Sequence, residues 1–284
     1  MMIKCPLCNS GKTKFLYKHS INDLVRMIDN CDKRIEVEVK KIWGKDFCKF
    51  MECKECSFAF VSPFKGGTNN LYSLLYSDNY PTERWEYDLA LKDISPRDIC
   101  LEIGAGKGMF QKKLLKEYKE IDSCTIEISN DESDYKSLKD TPNKKKFSVV
   151  FMFQVLEHLD NFKEVIDTIN KITTSNAKLI ISVPHESTIE FFRKKGMITD
   201  NPPIHVSRWN EKTIGMLEGW KIQDYQIKSL GIFKRFKYLF YGTRTMLYPK
   251  TRNPYLLIDC FLTALTKMGM GKLIDTQYFY LTKR

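Results

Sequence analysis

Between residues 99 and 108 the chain reads Ile-Cys-Leu-Glu-Ile-Gly-Ala-Gly-Lys-Gly, and no other stretch limits its folding options as sharply. Ile99 to Ile103 is a short apolar run, the pattern of a buried strand. It leads into three glycines within five residues, which let a backbone turn tightly and approach a ligand with no Cβ in the way. Phe110, Leu114, Leu115 and Tyr118 then recur at helical spacing. The start of such a helix offers unpaired N–H groups to whatever lies there. Dinucleotide-binding turns space their glycines as G-x-G-x-x-G; here the third comes one residue early.

The alternation continues along the chain. Cys124 to Ile128, Phe147 to Phe153, Leu179 to Val183 and Gln277 to Thr282 read as further strands. Asn161 precedes Glu164 at capping-box spacing, and Phe162, Val165, Ile166, Ile169 and Ile172 follow with the period of an amphipathic helix. Asn210 is expected to cap a short helix that Gly219 ends, with Trp220 opening the next strand. Strands alternating with helices predict a doubly wound, mostly parallel sheet covered on both faces, with its ligand at the carboxyl ends of the first strands.

Several ordered blocks carry a resemblance. Glu102 lies two residues before the first glycine, Thr125-Ile-Glu-Ile-Ser129 puts a carboxylate after the second strand, and Gln154-Val-Leu-Glu-His-Leu159 follows the strand at 147 to 153. Together with Leu179 to Pro184 and Asn201 to Trp209, these blocks resemble the class I S-adenosylmethionine-dependent methyltransferases, which have a Rossmann-like α/β fold. The resemblance implies S-adenosylmethionine as cofactor, held around Glu102, Gly104, Ala105, Gly106, Gly108, Glu127, Ile128 and Gln154. Glu127 would take the ribose hydroxyls, since two adjacent donors suit a two-oxygen acceptor. Only nineteen residues separate Glu127 from Phe147, so the second helix and third strand of the family must be abbreviated. Asp140 is the stand-in for the family's acidic residue near the adenine. Tyr80, alone among the aromatics of the tyrosine-rich stretch 71 to 94, is taken as a cofactor contact.

Ahead of this domain lie two Cys-x-x-Cys pairs, Cys5-Pro-Leu-Cys8 and Cys53-Lys-Glu-Cys56. Four thiolates at tetrahedral corners suit structural Zn2+, although 44 residues intervene and Cys48 or Cys31 could replace one ligand. The turn formers from Ser62 to Asn70 mark the first break. We therefore divide the chain into a zinc-binding module, residues 1–65, and a methyltransferase domain, residues 66–284, with residues 231–275 inserted before the last strand. Cys-x-x-Cys followed by Ser57-Phe-Ala-Phe-Val-Ser-Pro63 and Leu75-Tyr-Ser-Asp-Asn-Tyr80 is similar to the N-terminus of sugar-modifying methyltransferases of surface-polysaccharide biosynthesis. Those enzymes usually have glycine where this chain has Ser57. The resemblance implies a nucleotide-linked or lipid-linked sugar as acceptor.

Methyl transfer to O, N or C needs positioning and removal of a proton. His205, His185 and His158 are the candidate bases: His158 and His185 follow the strands at 147 to 153 and 179 to 183, expected to end at the active-site mouth, and the resemblance implies that the Pro-Pro-Ile-His205 segment lies over the substrate. Asn201-Pro-Pro-Ile204 imitates the N-P-P-aromatic turn of amino-group nucleic-acid methyltransferases, but it follows the wrong strand and lacks the aromatic.

A net charge of +11 suits an anionic partner, or reflects a lysine-rich surface. It leaves open an RNA methyltransferase, and the shortened adenine region leaves open a non-catalytic cofactor-binding scaffold. No export signal or membrane-length apolar run is visible, so a cytoplasmic protein is expected. The basic, aromatic insert could form a substrate lid, core, a homodimer interface or a peripheral contact at the inner membrane surface.

Overall fold

A computed structural model describes residues 3–27, 32–75, 83–127, 130–142, 146–194, 202–229 and 274–284. In chain order these form β1 (Thr13–Ser20), α1 (Ile21–Met27), α2 (Lys33–Trp43), β2 (Phe47–Cys53), β3 (Ala59–Ser62), α3 (Asn69–Leu75), α4 (Trp85–Lys92) and β4 (Ile99–Ile103). There follow α5 (Met109–Glu117), β5 (Asp122–Ile126), β6 (Phe147–Phe153), α6 (Phe162–Ile172), β7 (Thr173–Pro184) and α7 (Glu186–Lys194). The last elements are β8 (Ser207–Arg208), α8 (Glu211–Ile214), β9 (Trp220–Ser229) and β10 (Ile274–Lys283). Single 3₁₀ turns cover Leu138–Asp140 and Leu156–His158. Tyr80, Ile128 and residues 231–273 of the insert lie outside the described residues.

The larger sheet has the order β5-β4-β6-β7-β10-β9. Its first four strands are parallel, and β10 runs antiparallel between β7 and β9. Both faces are dry. On one, Leu101, Val150 and Met152 pack with Phe162, Ile166 and Ile169 of α6; on the other, Cys100, Val149 and Phe151 pack with Ala90 of α4 and Phe110 and Leu114 of α5. Burial on both sides is why β4 and β6 are near-continuous apolar runs rather than alternating ones, each with one polar residue, Glu102 and Ser148. The order reverses at β4, whose neighbours are β5 and β6, so the crevice of a doubly wound sheet opens at their carboxyl ends.

The third parallel strand expected after β5 is reduced to a single parallel bridge, Ile126 with Tyr135. The turn that replaces its helix is tied down by side chains: Asp134 accepts from the Thr125 N–H at 2.7 Å and its hydroxyl at 3.0 Å. Two local expectations are corrected. Asn161 makes no side-chain cap, because its backbone (φ −106°, ψ 27°) is not extended as a capping residue requires. The helix capped by Asn210 ends at Gly215, not Gly219; Gly219, at φ 84°, instead turns the chain into β9.

The smaller sheet is antiparallel, in the order β1-β2-β3-β8. Its fourth strand comes from beyond residue 65, and the Val61 N–H donates to the Val206 carbonyl at 2.9 Å. One face packs on α1 and α2 through Leu24, Ile35, Val39, Trp43 and Phe50, with Leu71 and Val206. On the other side Phe58 lies against Trp209 and Phe162, with ring centroids 4.7 and 5.8 Å away. The buried Arg208 guanidinium covers the Phe50 ring, donates to Tyr17 Oη at 2.7 Å and pairs with Glu190 at 2.5 Å. The small sheet therefore shares core with the large one. Among the described residues no helix is long and apolar enough to cross a membrane.

Candidate active site

The glycine turn closes over the carboxyl ends of β4 and β5. Gly104 and Ala105 N–H groups donate to the Ile126 carbonyl at 2.9 and 3.2 Å. Gly104, Gly106 and Gly108 all have positive φ. At Gly104 glycine is obligatory twice over: φ is 72°, and a Cβ there would lie 2.4 Å from Val155 Cγ2. The Gly106 N–H donates to Glu127 Oε2 at 3.0 Å, and Asn130 Nδ2 donates to the Gly106 carbonyl at 2.9 Å. Glu127 is thus braced at the edge of the crevice, where a carboxylate can accept from paired hydroxyls. Asp140 is exposed, and its carboxylate accepts from the Ser137 N–H and hydroxyl at 2.8 and 2.9 Å, capping its own 3₁₀ turn.

Glu102 lies on β4 beneath the turn, 5% exposed. Burial, reinforced by Glu127, pushes its carboxyl up to about 8, against the opposing pull of the Gln111 N–H and Arg84. Its Oε2 has no hydrogen-bond partner among the described residues. A buried acceptor without a donor fits a ligand that brings one, as the amino-acid end of S-adenosylmethionine would. The residues present therefore fit that cofactor.

A second acidic group stands on the same side. Glu86, on α4, is 2% exposed; its Oε1 accepts from the Ser182 hydroxyl at 3.3 Å and lies 3.7 Å from the Arg84 guanidinium. Burial raises its pKa. Gln154 joins from the position just after β6: Nε2 reaches Ser182 Oγ at 3.3 Å, its N–H donates to the Ser182 carbonyl at 2.9 Å, and its φ is 58°. The sequence reading missed Glu86 and Arg84, because charges at the head of a tyrosine-rich helix look like a solvated face. The only available signal was their proximity to a strand that ends in the crevice.

The candidate bases divide into two places. His158 and His205 meet with ring centroids 4.6 Å apart, edge to face. His158 Nδ1 donates to the Ile204 carbonyl at 2.9 Å, and Tyr72 Oη lies 3.1 Å from the same nitrogen. Burial lowers His158 to about 4 and takes His205 well below the ordinary histidine value. Both are neutral at physiological pH. His185 is apart from them, at the end of β7. Its Nδ1 accepts the Ser187 N–H at 3.1 Å, which places the proton of the neutral ring on Nε2.

The two cysteine pairs come together at the edge of the small sheet. Cys5 and Cys56 sulfurs are 3.6 Å apart, Cys8 and Cys53 sulfurs 3.5 Å, and all four lie within 4.8 Å of one another. Four thiolates around one zinc at the usual Zn–S length stand about 3.8 Å apart. The set fits zinc, and the sulfurs are too far apart for disulfides. Each knuckle is the same turn: the Asn9 N–H donates to the Cys5 carbonyl, the Ser57 N–H to the Cys53 carbonyl, both at 2.9 Å. Asn9 and Ser57 both take the left-handed conformation, at φ 66° and 65°. Cys48 is buried in the apolar cluster under α1 and α2. Cys31 lies outside the described residues.

Residues 83–224, half of the chain, match the sequence model of a family described as "Methyltransferase domain". No curated protein matches the chain in sequence. Among solved structures, it resembles coclaurine N-methyltransferase bound to N-methylheliamine and SAH (12% identity, 74% of this chain and 76% of that one, TM-score 0.49). It also resembles the cyclopropane synthase MmaA2 from Mycobacterium tuberculosis (16%, 70% and 83%, TM-score 0.43). A third likeness is to a SAM-dependent methyltransferase from Archaeoglobus fulgidus (16%, 69% and 94%, TM-score 0.43). The family match carries the assignment, and the observed sheet order and glycine turn agree with it: the chain belongs to the class I S-adenosylmethionine-dependent methyltransferases.

Proposed function

We propose that this enzyme methylates a sugar carried on a nucleotide or a lipid, in the cytoplasm, with a structural zinc in its N-terminal module. The observation that carries the reading is the Cys5, Cys8, Cys53 and Cys56 cluster, whose spacing fits zinc. It heads a module whose sequence is similar to that of sugar-modifying methyltransferases. That module packs its Phe58 into the core of the catalytic domain, so zinc would stabilise the ground on which the acceptor side is built.

S-adenosylmethionine supplies an electrophilic methyl carbon. Glu127 and the Gly104–Gly108 turn would hold its nucleoside, and Glu102 with Arg84 its amino-acid end. Ala105, Gly106, Gly108, Ile128, Gln154, Tyr80 and Asp140 complete the proposed contacts. When bound, the cofactor would support an in-line displacement in which an acceptor lone pair forms the new bond to the methyl carbon as the carbon–sulfur bond breaks and S-adenosylhomocysteine leaves. A hydroxyl acceptor would also lose its proton, taken by the lone pair of a neutral histidine nitrogen. His158 and His205 are assigned to the acceptor's nucleophilic atom, as neutral nitrogens with lone pairs to offer, and His185 to a hydrogen bond on the acceptor.

The test is transfer of labelled methyl from S-adenosylmethionine to a panel of nucleotide sugars, lipid-linked sugars and RNA, with metal analysis of the same preparation. Label in a sugar and one zinc per chain are expected. Label in RNA alone, or in nothing while the cofactor binds, overturns the acceptor assignment. A folded protein without zinc overturns the metal assignment.

A further inference from the structure

We infer that Glu157, His158 and His205 form a second metal site, which takes a divalent first-row transition cation distinct from the zinc of the cysteine cluster. It rests on the reading that His158 and His205 face the acceptor, and it gives their lone pairs a different use there: each holds the cation instead of taking the acceptor's proton. One ligand atom from each of the three residues lies within 4.8 Å of the others. Donors around one ion with bond lengths near 2 Å stand about 3–4 Å apart, so a shift of roughly an ångström would close the three on a cation.

The chain holds these donors on fixed backbone. Glu157 and His158 occupy the 3₁₀ turn directly after β6, and the His158 N–H donates to the Val155 carbonyl at 3.0 Å. His205 lies in the loop just before β8, where the Val206 N–H donates to the Glu157 carbonyl at 2.9 Å. Glu157 is 1% and His205 7% exposed. Donors on a 3₁₀ turn and a loop that are tied together by a backbone hydrogen bond keep their geometry without a bound ion.

Histidine orientation supplies the second observation. The Nδ1–H of His158 is committed to the Ile204 carbonyl, which leaves the Nε2 lone pair for a ligand. A metal-binding imidazole characteristically donates its other N–H to a backbone carbonyl or carboxylate in this way. Two imidazoles and one carboxylate suit Fe2+, Mn2+, Co2+ or Zn2+ and leave coordination positions open. The four thiolates near the N-terminus, by contrast, close a tetrahedral zinc site.

The site's place gives it a use. Val155, two residues before Glu157, is the residue against which Gly104 of the cofactor turn packs. A cation here stands one short turn from the cofactor loop, on the acceptor's side. Its open positions would take an acceptor hydroxyl, acidifying it as a Lewis acid does so that its proton passes to water. The class of acceptor this favours is an alcohol with a neighbouring oxygen, able to chelate.

The experiment uses the full-length, zinc-loaded protein, titrated with Co2+ and separately with Mn2+. One further cation per chain is expected. Its Co2+ spectrum should show nitrogen and oxygen ligation without the thiolate charge-transfer bands that displacement of zinc would give. Glu157→Gln and His205→Gln should each weaken Mn2+ binding at least about tenfold, with one zinc retained per chain. Should those variants not fold, paramagnetic broadening of the His158 and His205 ring protons by Co2+ in the unmodified protein answers the same question. Absence of a second cation, or broadening that spares both rings, overturns the site. A protein that methylates a sugar without a second cation sinks this inference alone; one that binds the cation and methylates no sugar sinks the substrate reading alone.

Discussion

Gly106 donates its backbone N–H to Glu127 at 3.0 Å, so the cofactor turn and the carboxylate at the end of β5 hold each other in place. A hydrogen bond to a charged group contributes roughly 1.5–3 kcal/mol. Glu127→Ala removes this brace and the acceptor for the ribose hydroxyls together. Affinity for S-adenosylmethionine should fall by about 10- to 100-fold, read by isothermal titration. Binding as tight as that of the unmodified protein would mean that the ribose lies elsewhere.

Gly104→Ala should be more damaging than its size suggests. A left-handed alanine costs roughly 1–2 kcal/mol, and the new methyl would meet Val155 Cγ2 at 2.4 Å. Either the turn or the start of the Leu156–His158 segment must move. We expect loss of cofactor binding and a lower Tm. Adding Val155→Ala removes the collision but not the backbone strain, so the double variant should recover part of the lost stability. Full recovery would show that the collision alone had mattered.

These two sites differ in how plainly the chain announces them. The glycine turn is legible because its conformation demands the residue type, and β6 because burial on both faces demands a nearly continuous apolar run. Phe147 to Phe153 is read from sequence with the bounds it has in the fold. The cysteine doublets are legible because paired thiols at that spacing have few other uses. Glu86 was not, since nothing local distinguishes a carboxylate that a sheet edge will bury from one left in water. β8, two residues long, carries no period at all. The missing third strand could be inferred only as a shortage of residues. That Tyr135 would supply its one bridge depended on Asp134 finding Thr125, a tertiary event.

Ser57 offers a prediction of the opposite sign. It follows Cys56 at φ 65°, a conformation that glycine adopts without penalty, and its counterpart Asn9 belongs to a residue type that tolerates it. Ser57→Gly removes the left-handed strain but adds chain entropy to the unfolded state. The balance should be a gain of about 0.5–1 kcal/mol in the N-terminal module. Slower zinc release to a chelator would report it, with a higher urea midpoint. Release as fast as in the unmodified protein would show that the knuckle bears no strain at Ser57.

Glu102 makes the protein's stability depend on pH. Its folded pKa is raised to about 8 from an ordinary 4.5, first by burial and then by Glu127. Between those two values the native state holds a proton that the unfolded state has released. With more protons bound to the native form, unfolding free energy falls as pH rises. The cost begins near pH 4.5, grows on the order of 1.4 kcal/mol per pH unit, and levels off above about 8. Glu102→Gln, which cannot ionise, lacks this slope. The stability of the unmodified protein relative to the variant should therefore decline steadily from pH 5 to pH 8, measured by urea unfolding without cofactor. Bound S-adenosylmethionine, with a cationic amine placed against Oε2, would favour the ionised carboxyl and shrink the decline. Parallel stability curves for the two proteins would show that Glu102 ionises freely, and would remove the argument that its buried oxygen awaits a donor.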